Sequence, residues 1–272
     1  MIIAFANHKG GVCKTTLALN VADALSREGL DVLVVDLDPQ ANVTALLYSA
    51  EETPGVPLEK VLDGSNSIAQ AVIEQTAIDG VHLIGATLKL ANLERQLNAT
   101  PFSSTSLLTQ KLAPVKQVYD VIILDTPPAL SFLTANALAA ADFVFTPLAS
   151  GSKLSLIGAD DLVAFIAQAK AANPRLQFGG AILARHDARK KVCRLVQQAA
   201  SEYYARVLEN TMPAATDVDK GQIVNKTVLQ LERESNVSRA VVQIAREIMS
   251  ITGLKPAKAK GKAKDEDEES IQ

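Results

Sequence analysis

Asn7-His8-Lys9-Gly10-Gly11-Val12-Cys13-Lys14-Thr15-Thr16 is the stretch from which the remaining sequence takes its meaning. It follows an apolar run, Ile2-Ile3-Ala4-Phe5-Ala6, that reads as a buried strand. It precedes Leu17 to Leu25, which has helical periodicity and stops at Gly29. Strand, Gly-rich loop and helix is the context of a phosphate-binding loop, in which backbone N–H groups and the positive helix end surround an anion. Lys14 is placed to reach β- and γ-phosphates and the Thr15 hydroxyl to ligate Mg²⁺. The loop departs from the general pattern G-x-x-x-x-G-K-[ST], because His8 and Cys13 stand where that pattern has glycines. What fits is K-G-G-x-x-K-T-T, with a second, early lysine at Lys9.

The remaining sequence agrees with an α/β protein. Val32–Asp36, Val81–Ile84, Val121–Asp125, Phe143–Thr146 and Gly180–Ala184 read as strands, several of them apolar throughout, as strands covered on both faces are. Helical stretches lie between them, at Leu88–Leu97, Ser104–Leu112 and Leu156–Ala172. This alternation predicts a doubly wound, mostly parallel sheet with helices on both faces and the nucleotide at the carboxyl ends of the strands. Val237, Val241, Ile244, Ile248 and Ile251 form a late apolar helical stripe, closed by Gly253 and Pro256. The expected organisation is an ATPase domain over residues 1–253. A disordered charged tail is expected over 254–272, rich in Lys to Lys264 and acidic from Asp265 to Glu269.

Composition narrows the function classes. The 272 residues are 48% hydrophobic, without Trp, and carry a formal net charge of −3. No apolar run has the roughly 18 residues that span a bilayer, and the amino-terminal residues read as a strand rather than a signal peptide. Two cysteines, Cys13 and Cys193, and three scattered histidines, His8, His82 and His186, form neither a disulfide framework nor a metal site. The charge is uneven: residues 185–246 hold eleven Lys/Arg against seven Asp/Glu. A locally basic region on an acidic chain is compatible with a DNA-facing patch and equally with solvated helices.

Two further motifs support the loop. Asp125 ends a strand and leads into Thr126-Pro127-Pro128, a position from which a carboxylate holds Mg²⁺ through water, as a Walker B aspartate does. Asp36-Leu37-Asp38-Pro39-Gln40-Ala41-Asn42 ends the second strand and brings two acids together. An Asp-Pro turn explains one of them but not the pair.

With these residues in place the chain resembles the ParA/MinD-type P-loop ATPases with a deviant Walker A motif, closest to ParA/Soj partition ATPases that have no amino-terminal DNA-binding extension. The resemblance implies that Lys9 reaches across an ATP-sandwiched homodimer to the partner's nucleotide. It implies that residues Lys9 to Thr16 hold ATP, that Asp38 orients the attacking water, and that Thr15, Asp36 and Asp125 surround Mg²⁺. Met212-Pro213 matches the segment that approaches adenine, and Asp187 and Arg189 match a D-x-R segment. Such a protein is cytoplasmic and nucleoid-associated, a slow ATPase stimulated by DNA and by a ParB-like or other cargo adaptor. Non-specific double-stranded DNA would be held by basic residues of the last third, with Arg206, Lys220, Lys226, Arg233, Arg239 and Arg246 as candidates.

The chain departs from that pattern at two positions. Cys13 replaces the glycine before the loop lysine, at an expected cost of about 1–3 kcal/mol if the backbone there is strained, roughly tenfold to a hundredfold in affinity. Its place beside Lys14 and a helix amino terminus predicts a thiolate-prone thiol. Ala214 stands where many relatives carry an arginine. Two other readings are kept. One is a MinD-like membrane-associated ATPase, disfavoured because residues 255–272 hold a single large apolar residue, Ile271, so no stable membrane binding is expected. The other is a nucleotide- or DNA-binding scaffold made hydrolysis-deficient by Cys13. An iron–sulfur relative is excluded by the placement of Cys13 inside the loop.

Overall fold

The computed structural model describes residues 1–48, 55–98 and 106–256. Among them, β1 (Ile2–Phe5), β2 (Val32–Asp36), β3 (Val72–Ile73), β4 (Val81–Ile84), β5 (Val121–Asp125), β6 (Phe143–Ala149) and β7 (Gln177–Ala184) form one sheet in the order β3-β4-β2-β5-β1-β6-β7. Every pairing is parallel except β3 with β4. β3 is a two-residue edge strand, too short to leave a periodicity in the sequence.

Side-chain alternation divides the apolar strand residues between two faces. Ile3, Phe5, Val32, Val34, Val121 and Ile123 pack with α1 (Lys14–Arg27) and α12 (Asn236–Thr252). Ile2, Ala4, Leu33, Val35, Ile122 and Leu124 pack on the other face with α3 (Leu58–Leu62), α6 (Leu107–Leu112), α7 (Phe132–Ala140) and α8 (Ala159–Ala172). The doubly wound arrangement expected from sequence is therefore present. On α12 the stripe of Val237, Val241, Ile244 and Ile248 is buried, each residue contributing about 1.5–3 kcal/mol, and Gly253 closes the helix at φ 77°. Residues 257–272, most of the expected tail, lie outside the described residues.

Several boundaries moved. α5 runs Leu90–Asn98, and α6 begins at Leu107, Ser104 lying outside the described residues. The stretch expected as one helix over Leu156–Ala172 is a 3-10 turn at Lys153–Leu156 and then α8, broken at Gly158 (φ 79°). A Cβ on Gly158 would stand 2.3 Å from His8 Nε2, so the phosphate-loop histidine leaves room only for glycine at this left-handed position.

The short α10 (Thr216–Ile223) and α11 (Val228–Leu231) are tied to α1 by buried polar contacts. Asn20 Oδ1 accepts the Val228 amide at 2.9 Å, and the Thr227 hydroxyl donates to Asp23. Chain order places the loops after β1 and β5, neighbours in the sheet, on helices of opposite faces. That divergence opens the crevice in which doubly wound sheets bind ligands.

Candidate nucleotide site

The loop of residues 7–13 is held from its first residue. Asn7 Nδ2 donates to the Pro147 carbonyl of β6 at 2.8 Å, and Asn7 Oδ1 accepts the Lys9 amide at 3.0 Å. Gly11 (φ 73°) and Cys13 (φ 68°) are both left-handed, and with Val12 buried between them the loop turns back over the amino terminus of α1. Cys13 caps that helix without a side-chain hydrogen bond, and the first-turn amides have no intrahelical acceptor, which suits a helix end to an anion. Gly10 and Gly11 are exposed, Thr15 is half-buried, and Thr16 is buried on the helix.

Cys13 thus sits in the conformation a glycine would adopt freely, as its position predicted. The prediction about its chemistry is corrected. Burial pushes the thiol up from its ordinary value, and the nearby Arg185 guanidinium only partly offsets this. Desolvation outweighs the helix end, and the Lys14 ammonium is directed elsewhere, its Nζ donating to the Lys9 carbonyl at 3.3 Å.

Behind the loop, charge is packed at the strand ends. Asp36 and Asp125 are in-register neighbours on β2 and β5, and both are wholly buried. Asp125 Oδ2 accepts the Thr15 hydroxyl at 2.6 Å, while the buried Oδ1 has no hydrogen-bond partner. Burial first, then the neighbouring Asp36, pushes Asp125 up to about 8, against the Thr15 hydrogen bond and Lys14.

Asp36 is raised to about 6 by burial, offset by its donors. Its Oδ2 accepts both the amide (2.9 Å) and the hydroxyl (2.8 Å) of Thr44, and its Oδ1 the Asp38 amide at 3.1 Å. Asp36 thereby folds the turn between β2 and α2 (Asn42–Leu47). Through that turn it fixes Asp38, whose Oδ1 takes the Gln40 amide at 2.9 Å. Lys14 is lowered by burial, with Asp125 and Asp38 opposing. Lys14, Thr15, Asp36, Asp38 and Asp125 are brought together, an orphaned carboxylate oxygen among them.

Residues 1–178 match the family described as an AAA domain. The chain is 32% identical to the chromosome partitioning protein ParA of Caulobacter vibrioides over 262 residues, covering 95% of this chain and 97% of that protein. It is 33% identical to the chromosome-partitioning ATPase Soj of Thermus thermophilus over 256 residues, 91% of this chain and 95% of that one. The chain belongs to the ParA/Soj family of partition ATPases. Among solved structures, it superposes on cobyrinic acid a,c-diamide synthase from Mycobacterium smegmatis, bound to an ATP analogue and magnesium, with a TM-score of 0.78. That match has 30% identity and covers 90% and 92% of the two chains.

Other positions singled out by the family resemblance are distributed differently. The Met212 side chain is fully buried in the core, its amide bonded to the Leu183 carbonyl. The side chain therefore does not line the cleft beside Pro213. Pro213 does line a cleft of about 250 Å³, together with Arg185, Ala214, Ala215, Thr216 and Asp219. Arg185, paired with Asp219 at 3.2 Å and itself left-handed at φ 52°, is the wall residue that sequence reading missed. Its signal was weak, a lone basic residue after a strand.

The six basic candidates sit against different elements. Arg206 lies beside β7, donating to the Gly179 carbonyl, whereas Lys226 lines a small cavity with Leu46, Leu47 and Ile78. Lys220 pairs with Asp217 and Arg246 with Glu28, while Arg233 and Arg239 are exposed. Among the described residues no cluster of three or more His, Cys, Asp or Glu is arranged to hold a metal unaided. No described helix is long and apolar enough to cross a membrane.

Proposed function

We propose that this ParA/Soj-family chain binds ATP with Mg²⁺ in the loop of residues 9–16, hydrolyses it slowly, and uses the ATP-bound homodimer to hold non-specific DNA. In that state it would segregate or position a cargo such as a plasmid, a chromosome region or a mobile element. The observation that carries the reading is the buried, unpartnered Asp125 Oδ1 beside Thr15 and Lys14. A carboxylate desolvated to this degree calls for a cation, and Mg²⁺ is commonly held by one or two protein groups plus substrate phosphates. Thr15 and Asp125 would hold the ion, which supplies charge neutralisation on the phosphate oxygens.

Lys14 would exchange the Lys9 carbonyl for phosphate oxygens, a stronger, charge-assisted contact. Asp38, fixed by the Asp36-supported turn, would orient the attacking water. Lys9 would act across the dimer on the partner's nucleotide, as the family resemblance implies, and Pro213 would lie against adenine. Basic residues of the last third would meet DNA phosphates, and a ParB-like or other adaptor would stimulate turnover and release. The cell compartment that follows is the cytoplasm, on the nucleoid.

The test is steady-state ATP hydrolysis with and without non-specific duplex DNA, beside a K14A control. Slow turnover that requires Lys14 and rises with DNA is expected. Absence of both turnover and nucleotide binding at millimolar ATP would leave the scaffold reading, which the left-handed Cys13 favours.

A further inference from the structure

Ser150 and His186 lie just past the ends of β6 and β7, at the carboxyl end of the sheet, and both are buried. His186 Nδ1 stands 3.0 Å from Ser150 Oγ, a hydrogen bond between residues 36 positions apart. Burial lowers the pKa of the imidazole, against the nearby Asp187 carboxylate, so the ring meets the hydroxyl in its neutral form at pH 7. The Ser150 amide also donates to the Ala184 carbonyl at 2.9 Å. Side chain and backbone thus fasten the two strand ends together where the chain leaves the sheet.

His186 carries the Pro213 cleft on its backbone. Its amide donates to the Met212 carbonyl at 3.0 Å and its carbonyl accepts the Ala214 amide at 3.4 Å, so Pro213 is bracketed by two bonds to one residue. The residue before it, Arg185, is left-handed at φ 52° and lines the same cleft as Pro213. A non-glycine residue in that conformation is strained and persists only where its surroundings over-determine it. Here they do: the Ser150–Ala184 bond holds one side of Arg185, and the Ser150–His186 and His186–Met212 bonds hold the other.

The phosphate side of the site has a separate fastening to β6, through Asn7 and the Pro147 carbonyl. We infer that His186, held by Ser150, is a positioning residue for the nucleoside end of the ligand. It sets Pro213 and Arg185 at the spacing that receives base and ribose, and it acts through them rather than on the reacting phosphates. The inference rests on the nucleotide reading and adds two residues that belong to none of its sequence motifs.

The experiment compares the full-length parent with S150A, H186L, H186N and the double variant S150A/H186L. Equilibrium binding of ATP, ADP and inorganic tripolyphosphate is measured, each with Mg²⁺, together with kcat and KM for ATP. Loss of the one hydrogen bond is expected to raise Kd for ATP and ADP about fivefold in S150A and in H186L. KM should rise with it while kcat stays within about twofold. Both variants cut the same bond, so the double variant should bind about as weakly as either single one. H186N, whose amide can still pair with the hydroxyl, should bind ATP nearly as the parent does. Tripolyphosphate, which has neither base nor ribose, should bind all of them alike. S150A removes only a hydroxyl and carries the test if H186L fails to fold. A parent that binds ATP while S150A matches it overturns the inference and leaves the nucleotide reading standing. So does H186N binding as weakly as H186L, or a loss shared equally by tripolyphosphate, which would make the bond a support of the whole site. A parent that binds no nucleotide removes both.

Discussion

At the carboxyl end of the sheet Lys14, Asp36, Asp38 and Asp125 are each less than a tenth exposed. At the amino end Lys170 and Arg175 stand in solvent. The first set is held by short hydrogen bonds and desolvated, so two of its carboxylates lie well above their ordinary range. The second set lies in water, where interactions are screened beyond about 10 Å at 0.1 M salt. The contrast separates two environments of charge in one fold. Buried groups are fixed by geometry at a cost in desolvation, while exposed cations stay solvated and are screened by salt.

The contrast is tested most severely at Lys14. K14A removes the buried cation and should cost roughly a hundredfold in nucleotide affinity, read by titration calorimetry, and abolish hydrolysis. Next is D125N, expected to lower kcat on the order of a hundredfold. It should also change the pH dependence of the ligand-free protein. Because folding raises Asp125 to about 8 and Asp36 to about 6, the folded state binds the extra protons, and stability falls as pH rises from about 4 through 8. For the parent that loss is on the order of a few kcal/mol. Thermal melts of D125N should show a flatter profile over the same range, and a parent whose melting temperature is constant from pH 5 to 8 would contradict the buried-charge account.

G158A probes the buried end from the loop's outer side. A Cβ there would meet the His8 ring, in a left-handed conformation, so unfolding by denaturant should show a loss of about 2–3 kcal/mol. C13G works in the opposite direction, relieving the φ 68° residue. It should add about 1 kcal/mol of stability and tighten nucleotide binding by up to about tenfold. The smallest effect belongs to a solvent-facing pair. R246A breaks the half-exposed contact with Glu28 and should cost at most about 0.5 kcal/mol, less at high salt.

The doubly wound sheet, the phosphate loop and the three acids beside it were legible in the amino-acid sequence. Continuous apolar strands, Gly-rich punctuation and a lysine at the start of a helix are local signals, each contained within about ten residues. The strained position of Cys13 was legible too, since it is a matter of local backbone conformation alone. Which of these groups are free to act depended on packing. Asp36 and Asp125 end their strands alike, but Thr44 and the Asp38 amide occupy the oxygens of the first, and one oxygen of the second is left without a partner.

Packing likewise put the Met212 side chain into the core, set His8 against the left-handed Gly158 at the start of α8, and raised the Cys13 thiol instead of lowering it. It set Arg206 against β7 and Lys226 in a cavity with Leu46, Leu47 and Ile78, and put Lys170 and Arg175 in one cleft. Burial and cross-strand neighbours are properties of the packed chain, and desolvation acts on them wherever they lie in the sequence. No window of consecutive residues carries that information.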